Sequence, residues 1–156
     1  MKKVLFVFTL LSASAAFAYS FYSWDQYGFC NEYAPNGAVV TSHVSENRCR
    51  ESQGSQNLWD QYGFCNEYAS NGAVVTSHIS LNACRRSQGS YYAWDQYGFC
   101  NEYASSSVVV VTSHVSEKQC RQSQPTTYQW DQYGFCNEYA PNGAIVTSHV
   151  SKNACR

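Results

Sequence analysis

The sequence predicts an all-β fold of four tandem disulfide-stapled β-hairpin repeats, each ending in a short helical turn. Three observations carry this prediction. The segment Trp24-Asp25-Gln26-Tyr27-Gly28-Phe29-Cys30-Asn31-Glu32-Tyr33-Ala34 recurs unchanged from Trp59, Trp94 and Trp130, and a fixed period of this length marks a tandem array. All 8 cysteines fall two to a repeat. Alternating and β-branched runs flank strong turn signals in each copy.

Met1-Lys2-Lys3, the apolar run over residues 4–11 and the small-residue stretch ending Ala16-Phe17-Ala18 have the three regions of a secretory signal peptide. The apolar run is too short to span a bilayer. Cleavage after Ala18 would leave about 138 residues, with no membrane span after removal of the signal. Repeats are then assigned to residues 19–50, 51–85, 86–121 and 122–156.

Within a repeat, Tyr27, Phe29, Asn31 and Tyr33 alternate with Gly28, Cys30, Glu32 and Ala34, the pattern of a half-buried strand. Pro35-Asn36-Gly37 is a turn signal, and residues 38–45 form a second β-branched run. A two-residue Asn36-Gly37 turn pairs Tyr33 with Val40 and Phe29 with Val44, gathering apolar side chains on one face. A three-residue Pro35-Asn36-Gly37 loop suits the proline better but moves Val39 and His43 onto that face. Burial favours the first. The third repeat has Ser105-Ser106-Ser107-Val108, one residue longer and without glycine, so its loop is predicted to be the least regular. Ser45, Ser80, Ser116 and Ser151 each open a segment suited to a capped helical turn, too short for more without tertiary support. Residues 51–58, 86–93 and 122–129 are polar connectors of equal length and read as exposed linkers. Their constant length suggests a repeated geometry between neighbours, either a semi-rigid rod or a closed pseudo-fourfold body.

The cysteines fall as Cys30/Cys49, Cys65/Cys84, Cys100/Cys120 and Cys136/Cys155. Export favours disulfides over thiols. A unit of about 35 residues has too little interior to fold without a staple, so pairing inside each repeat is expected over pairing between neighbours. Zinc competes for the same residues through Cys30, His43 and Cys49, with His78, His114 and His149 recurring in place, but the paired C-x-x-C knuckles of structural zinc sites are missing. No metal and no cofactor is expected, and the histidines are read as strand residues packing near the disulfides.

Charge excludes other partners. Without Lys2 and Lys3, 8 basic residues face 11 acidic ones, and the isolated arginines form no stripe for phosphates, so no nucleic acid is expected. Nucleophilic catalysis lacks a G-x-S-x-G elbow. Asp25 and Glu32 could serve as glycosidase carboxylates, but they read better as solvated groups or partners of Arg50, and no enzymatic activity is expected. The aromatic residues point to binding. Trp24, Tyr27, Tyr33, Trp59, Tyr62, Tyr68, Trp94, Tyr97, Tyr103, Trp130, Tyr133 and Tyr139, with Phe29 and its copies, could form stacking platforms for sugars, with Asp25, Gln26, Asn31 and Glu32 as hydrogen-bonding partners. The same rings are the chain's main core material, because beyond residue 18 the larger aliphatics are limited to Leu58, Ile79, Leu81 and Ile145. The expected function is a secreted or periplasmic repeat protein of bacterial type, a non-enzymatic binding or adhesion module for glycan or another cell-envelope surface component. The alternatives are a structural, self-associating extracellular protein and, ranked lower, a protease inhibitor.

Overall fold

The computed structural model describes residues 19–156, and the signal-peptide assignment of residues 1–18 lies outside the described residues. The first unit comprises β1 (Phe21–Trp24), β2 (Cys30–Tyr33), β3 (Val39–Thr41) and helix α1 (Glu46–Gln53). The second comprises β4 (Ser55–Trp59), β5 (Cys65–Ala69), β6 (Val74–Thr76) and α2 (Leu81–Ser87). The third has β7 (Ser90–Trp94), β8 (Cys100–Ala104), β9 (Val110–Thr112) and α3 (Glu117–Ser123). The fourth has β10 (Thr127–Trp130), β11 (Cys136–Tyr139), β12 (Ile145–Thr147) and a closing 3₁₀ turn over Lys152–Cys155. Each unit is its own antiparallel three-stranded sheet, with the strands in chain order.

The connectors are not linkers. Their second halves supply β4, β7 and β10, and α1 runs across the 50/51 boundary to Gln53. The polar side chains that suggested solvent exposure satisfy the outer edge of the first strand in a unit. Ser52 Oγ donates to the Tyr22 carbonyl at 3.2 Å and Gln53 Oε1 accepts from Trp24 N at 3.3 Å. Ser87 and Gln88 serve Asn57 and Trp59 in the same way, as do Ser123 and Gln124 for Tyr92 and Trp94. An exposed strand edge is thereby occupied rather than left open for pairing.

The hairpin reconciles both registers read from the sequence. Ala34 N donates to Ala38 O at 2.8 Å across a three-residue loop. Gly37 takes φ 82° there, a left-handed conformation that glycine adopts without steric cost. Tyr33 therefore pairs with Val39, not Val40. A bulge then resets the ladder, so that Glu32 pairs with Thr41, the register a two-residue turn would have given throughout. In the third unit Ala104 N reaches Val109 O, a loop one residue longer, and Val108 is 84% exposed. Ser45, Ser80 and Ser116 occupy N-cap positions without a side-chain capping bond, and Ser151 alone of the four accepts one, from Asn153 N. The three helices exceed a single turn because disulfides and the serine–strand bonds supply the tertiary support.

Disulfides join Cys30–Cys49, Cys65–Cys84, Cys100–Cys120 and Cys136–Cys155, tying β2 and its copies to the closing helical segment of the same unit. No cysteine is free among the described residues. Nor is any helix among them long and apolar enough to cross a membrane. Four disulfides are consistent with an oxidising environment.

The core of each of the first three units is completed by the next unit. Trp24, Cys30 and Cys49 bury against Ala69, Trp59 with its disulfide against Ala104, and Trp94 with its disulfide against Ala140. The backbones also meet closely. A Cβ on Gly28 would stand 2.2 Å from Val74 O, and Gly63 and Gly98 face Val110 O and Ile145 O in the same way. Asn71 Nδ2 donates to Asp25 O at 2.9 Å and Asn142 Nδ2 to Asp95 O at 3.1 Å across the first and third seams.

An ion pair locks each seam. Arg50 Nε and Nη2 bond both carboxylate oxygens of Glu67 at 2.6 and 2.7 Å. Arg85 grips Glu102 at 2.7 and 2.6 Å, and Arg121 grips Glu138 at 2.7 and 2.8 Å. The expectation that Asp25 or Glu32 pairs with Arg50 is thus corrected: Arg50 holds Glu67 of the following unit and, within its own helix, Glu46 at 2.6 Å. The forked guanidinium matches a carboxylate at two points, so each glutamate is enclosed while its arginine keeps about a third of its side chain exposed. The array is open, since Trp130 at the fourth unit's far face is 48% exposed while Trp24, Trp59 and Trp94 are between 4% and 9% exposed.

Candidate functional site

The recurrent segment folds into a tight loop organised by its aspartate. Asp25 Oδ1 accepts from Tyr27 N and Phe29 N, both at 2.9 Å, and Oδ2 accepts from Asn31 Nδ2 at 3.1 Å. The other three units repeat all of these bonds. Burial opposes ionisation of Asp25 and Asp60, yet the hydrogen bonds from the backbone and from the asparagine outweigh it and hold both carboxyls below their ordinary value. Asp131 is lowered first by the Phe135 N–H.

Asn31 spends its other end on the histidine. Its Oδ1 accepts from His43 N at 2.8 Å, repeated at His78, His114 and His149. These histidines lie at φ between 50° and 54°, a left-handed conformation uncommon for a residue with a side chain. The imidazole then packs, tilted or edge-on, against the phenylalanine of the loop, with ring centroids 4.4 Å apart for Phe29–His43 and between 4.2 and 4.5 Å in the other units.

The result is an exposed aromatic group in every unit. Tyr27, Tyr62, Tyr97 and Tyr133 are 69% to 75% exposed, and the four phenylalanines about half exposed. The histidines are exposed as well. Because the flanking glycines of the first three units abut the following unit, the first three of these groups lie at successive seams, and the fourth recurs on the last unit.

Packing changes the role of several residues that the sequence marks for binding. Trp24, Trp59 and Trp94 are core residues whose ring N–H groups donate to Gly54 O, Gly89 O and Gln124 O, so their faces are not open to a ligand. Trp130 alone of the four is exposed. Tyr33, Tyr68, Tyr103 and Tyr139 are half-buried on the strands, and Phe21 and Tyr91 stack on Tyr33 and Tyr103. Asp25 and Asn31 are engaged in holding the loop, and Glu67, Glu102 and Glu138 in ion pairs. Gln26 remains exposed. With every sulfur in a disulfide, the cysteines offer no thiolate, and among the described residues no group of three or more His, Cys, Asp or Glu is placed to hold a metal ion. The histidine packed on each phenylalanine was absent from the expected aromatic set. Its Ser-His dipeptide recurs at a fixed place, but nothing in the residue types announces a left-handed histidine.

A shallow depression of about 430 Å³ lies beside β4 and the end of α2, lined by Ser55, Gln56, Asn57, Leu58, Ser87 and Gln88. Its lining is mostly neutral and polar. No family model, curated protein or solved structure matches the chain.

Proposed function

We propose that the protein is a secreted or periplasmic, non-enzymatic binding module that attaches to polymeric glycan of a cell envelope through its row of exposed aromatic groups. The observation that carries this reading is the fourfold exposure of Tyr27, Tyr62, Tyr97 and Tyr133 on loops pinned by three hydrogen bonds to one aspartate. A large ring on a loop already held in place loses little further freedom on stacking against a sugar face. The polar neighbours Gln26 and His43 offer hydrogen bonds to hydroxyls at the ring's edge. A single platform of this kind is weak. Four at a regular interval on connected units convert weak stacking into avidity for a ligand that is itself a repeat.

Retention on peptidoglycan sacculi and on insoluble chitin checks this reading. The wild-type chain is expected to bind one of these in a saturable way. Replacing each successive tyrosine of the four by Ala is expected to weaken retention about fivefold, the equivalent of about 1 kcal/mol per lost stacking contact. Circular dichroism should stay unchanged, because the rings are exposed. Retention unaffected by the fourfold substitution, or no retention of the wild type on either material, would overturn the proposal.

A further inference from the structure

The three internal seams share one geometry, and the two ends of the array carry its two unmatched halves. On the first unit, Glu32 occupies the position of Glu67, Glu102 and Glu138. Its carboxylate accepts from Ser20 Oγ, as Glu67 accepts from Ser55 and Glu102 from Ser90. Among the described residues, no arginine grips it as one grips each of the other three. On the fourth unit, Arg156 follows Cys155 as Arg50, Arg85 and Arg121 follow their cysteines, and among the described residues it makes no ion pair.

The apolar parts match too. Trp130 is 48% exposed, where its counterparts are buried by the alanine of the next unit. Ala34, the counterpart of those alanines, is only half-buried. Gly134 has open space beside it, whereas Gly28, Gly63 and Gly98 abut the carbonyl of Val74, Val110 or Ile145. Val39, the counterpart of Val74, is 54% exposed beside Val40 at 58%. Asn36 stands where Asn71 and Asn142 donate across a seam.

We propose that these two faces bind one another between copies of the chain, so that the protein assembles head to tail. Arg156 of one copy pairs with Glu32 of the next, Trp130 closes over Ala34, and Gly134 meets the Val39 backbone. Such an interface joins two different surfaces, so it propagates into a filament unless its rotation closes a ring. The occupant is a second copy because charge, shape and hydrogen-bonding partners are those the chain already uses three times internally. Two separate copies share no tether, so association depends on concentration. Assembly would set successive aromatic rows end to end, but it does not rest on the glycan reading.

Sedimentation velocity over a concentration series tests the proposal with the purified chain. Wild type is expected to shift to larger species as concentration rises, with Trp emission moving to the blue. Arg156→Glu and Glu32→Arg, each alone, place like charges across the junction and should require at least about tenfold more protein to associate. An equimolar mixture of the two variants restores opposite charges at every junction between unlike copies and should recover association. Thermal unfolding should match among all three, since neither side chain makes an ion pair within the chain. A wild type that stays monomeric throughout, single variants that assemble unimpaired, or a mixture that fails to recover would each overturn the proposal.

Discussion

Reduction of the four disulfides is expected to unfold the array at room temperature. Each bridge closes a loop of 19 or 20 residues, worth about 3 kcal/mol on the chain-entropy account. Four such contributions are comparable with the whole stability of an ordinary domain. They are also not replaceable, because each sulfur pair in the first three units is itself the centre of a core whose other buried residues are one tryptophan and one borrowed alanine. Far-ultraviolet circular dichroism before and after reductant measures this directly. Loss of the strand signal and of the cooperative melt is the expected result; a reduced chain that melts cooperatively near the oxidised one would contradict the role given to the bridges.

The next largest effect is expected from Glu102→Ala. The Glu102 side chain is 1% exposed and receives both Arg85 nitrogens and Ser90 Oγ. Removing the carboxylate leaves Ser90 Oγ without its acceptor and the guanidinium without its partner; because the Arg85 side chain is 34% exposed, the cost is about 2 to 3 kcal/mol, below that of a fully buried pair. Glu32→Ala, at the same position in the uncovered first unit, should cost about 0.5 kcal/mol or less. Denaturant midpoints at constant slope measure the difference.

The same pairs set an acid limit. Hydrogen bonding from Arg121 holds Glu138 down from 4.5 to about 2, and hydrogen bonding from Arg50 lowers Glu67. Burial pushes Glu102 up, but the bonds from Arg85 and Ser90 and the guanidinium charge outweigh it, and its value is also lowered. A carboxyl depressed in the folded state stabilises the fold fully above its unfolded value and loses that contribution as pH falls through its folded value. Stability should therefore decline from about pH 4.5 toward pH 2, and less steeply in Glu102→Ala. Equal declines in the two proteins would contradict the assignment.

The repeat, the strands β2 and β3 with their copies, and the disulfide pairing were legible because each leaves a local mark: an unchanged segment, an alternating run, two cysteines per copy. The first strand of each unit was not. Ser55-Gln56-Asn57 carries no apolar period, and it pairs because β5 offers an edge and Gln88 meets the Trp59 amide on the far side. The buried face of the sheet was also misjudged. Alternation places Tyr27, Phe29 and Tyr33 opposite Cys30, Glu32 and Ala34, and hydrophobicity favours burying the rings. In the second to fourth units the glutamate is enclosed, because an arginine 17 residues earlier comes from the preceding unit and neutralises it, while on the ring side the asparagine is the buried residue. A partner contributed across a seam leaves no mark in either segment alone. That inversion is what frees the tyrosines and phenylalanines to face solvent.

In the monomer, the tryptophan of each of the first three units is sealed by the unit after it, and Trp130 is left open. Acrylamide quenching of tryptophan emission, at a dilution where the chain sediments as a monomer, measures this most directly. One accessible and three protected tryptophans are predicted, and Trp130→Phe should remove the accessible one alone. Equal quenching of all four tryptophans, or an accessible population that survives Trp130→Phe, would contradict the account.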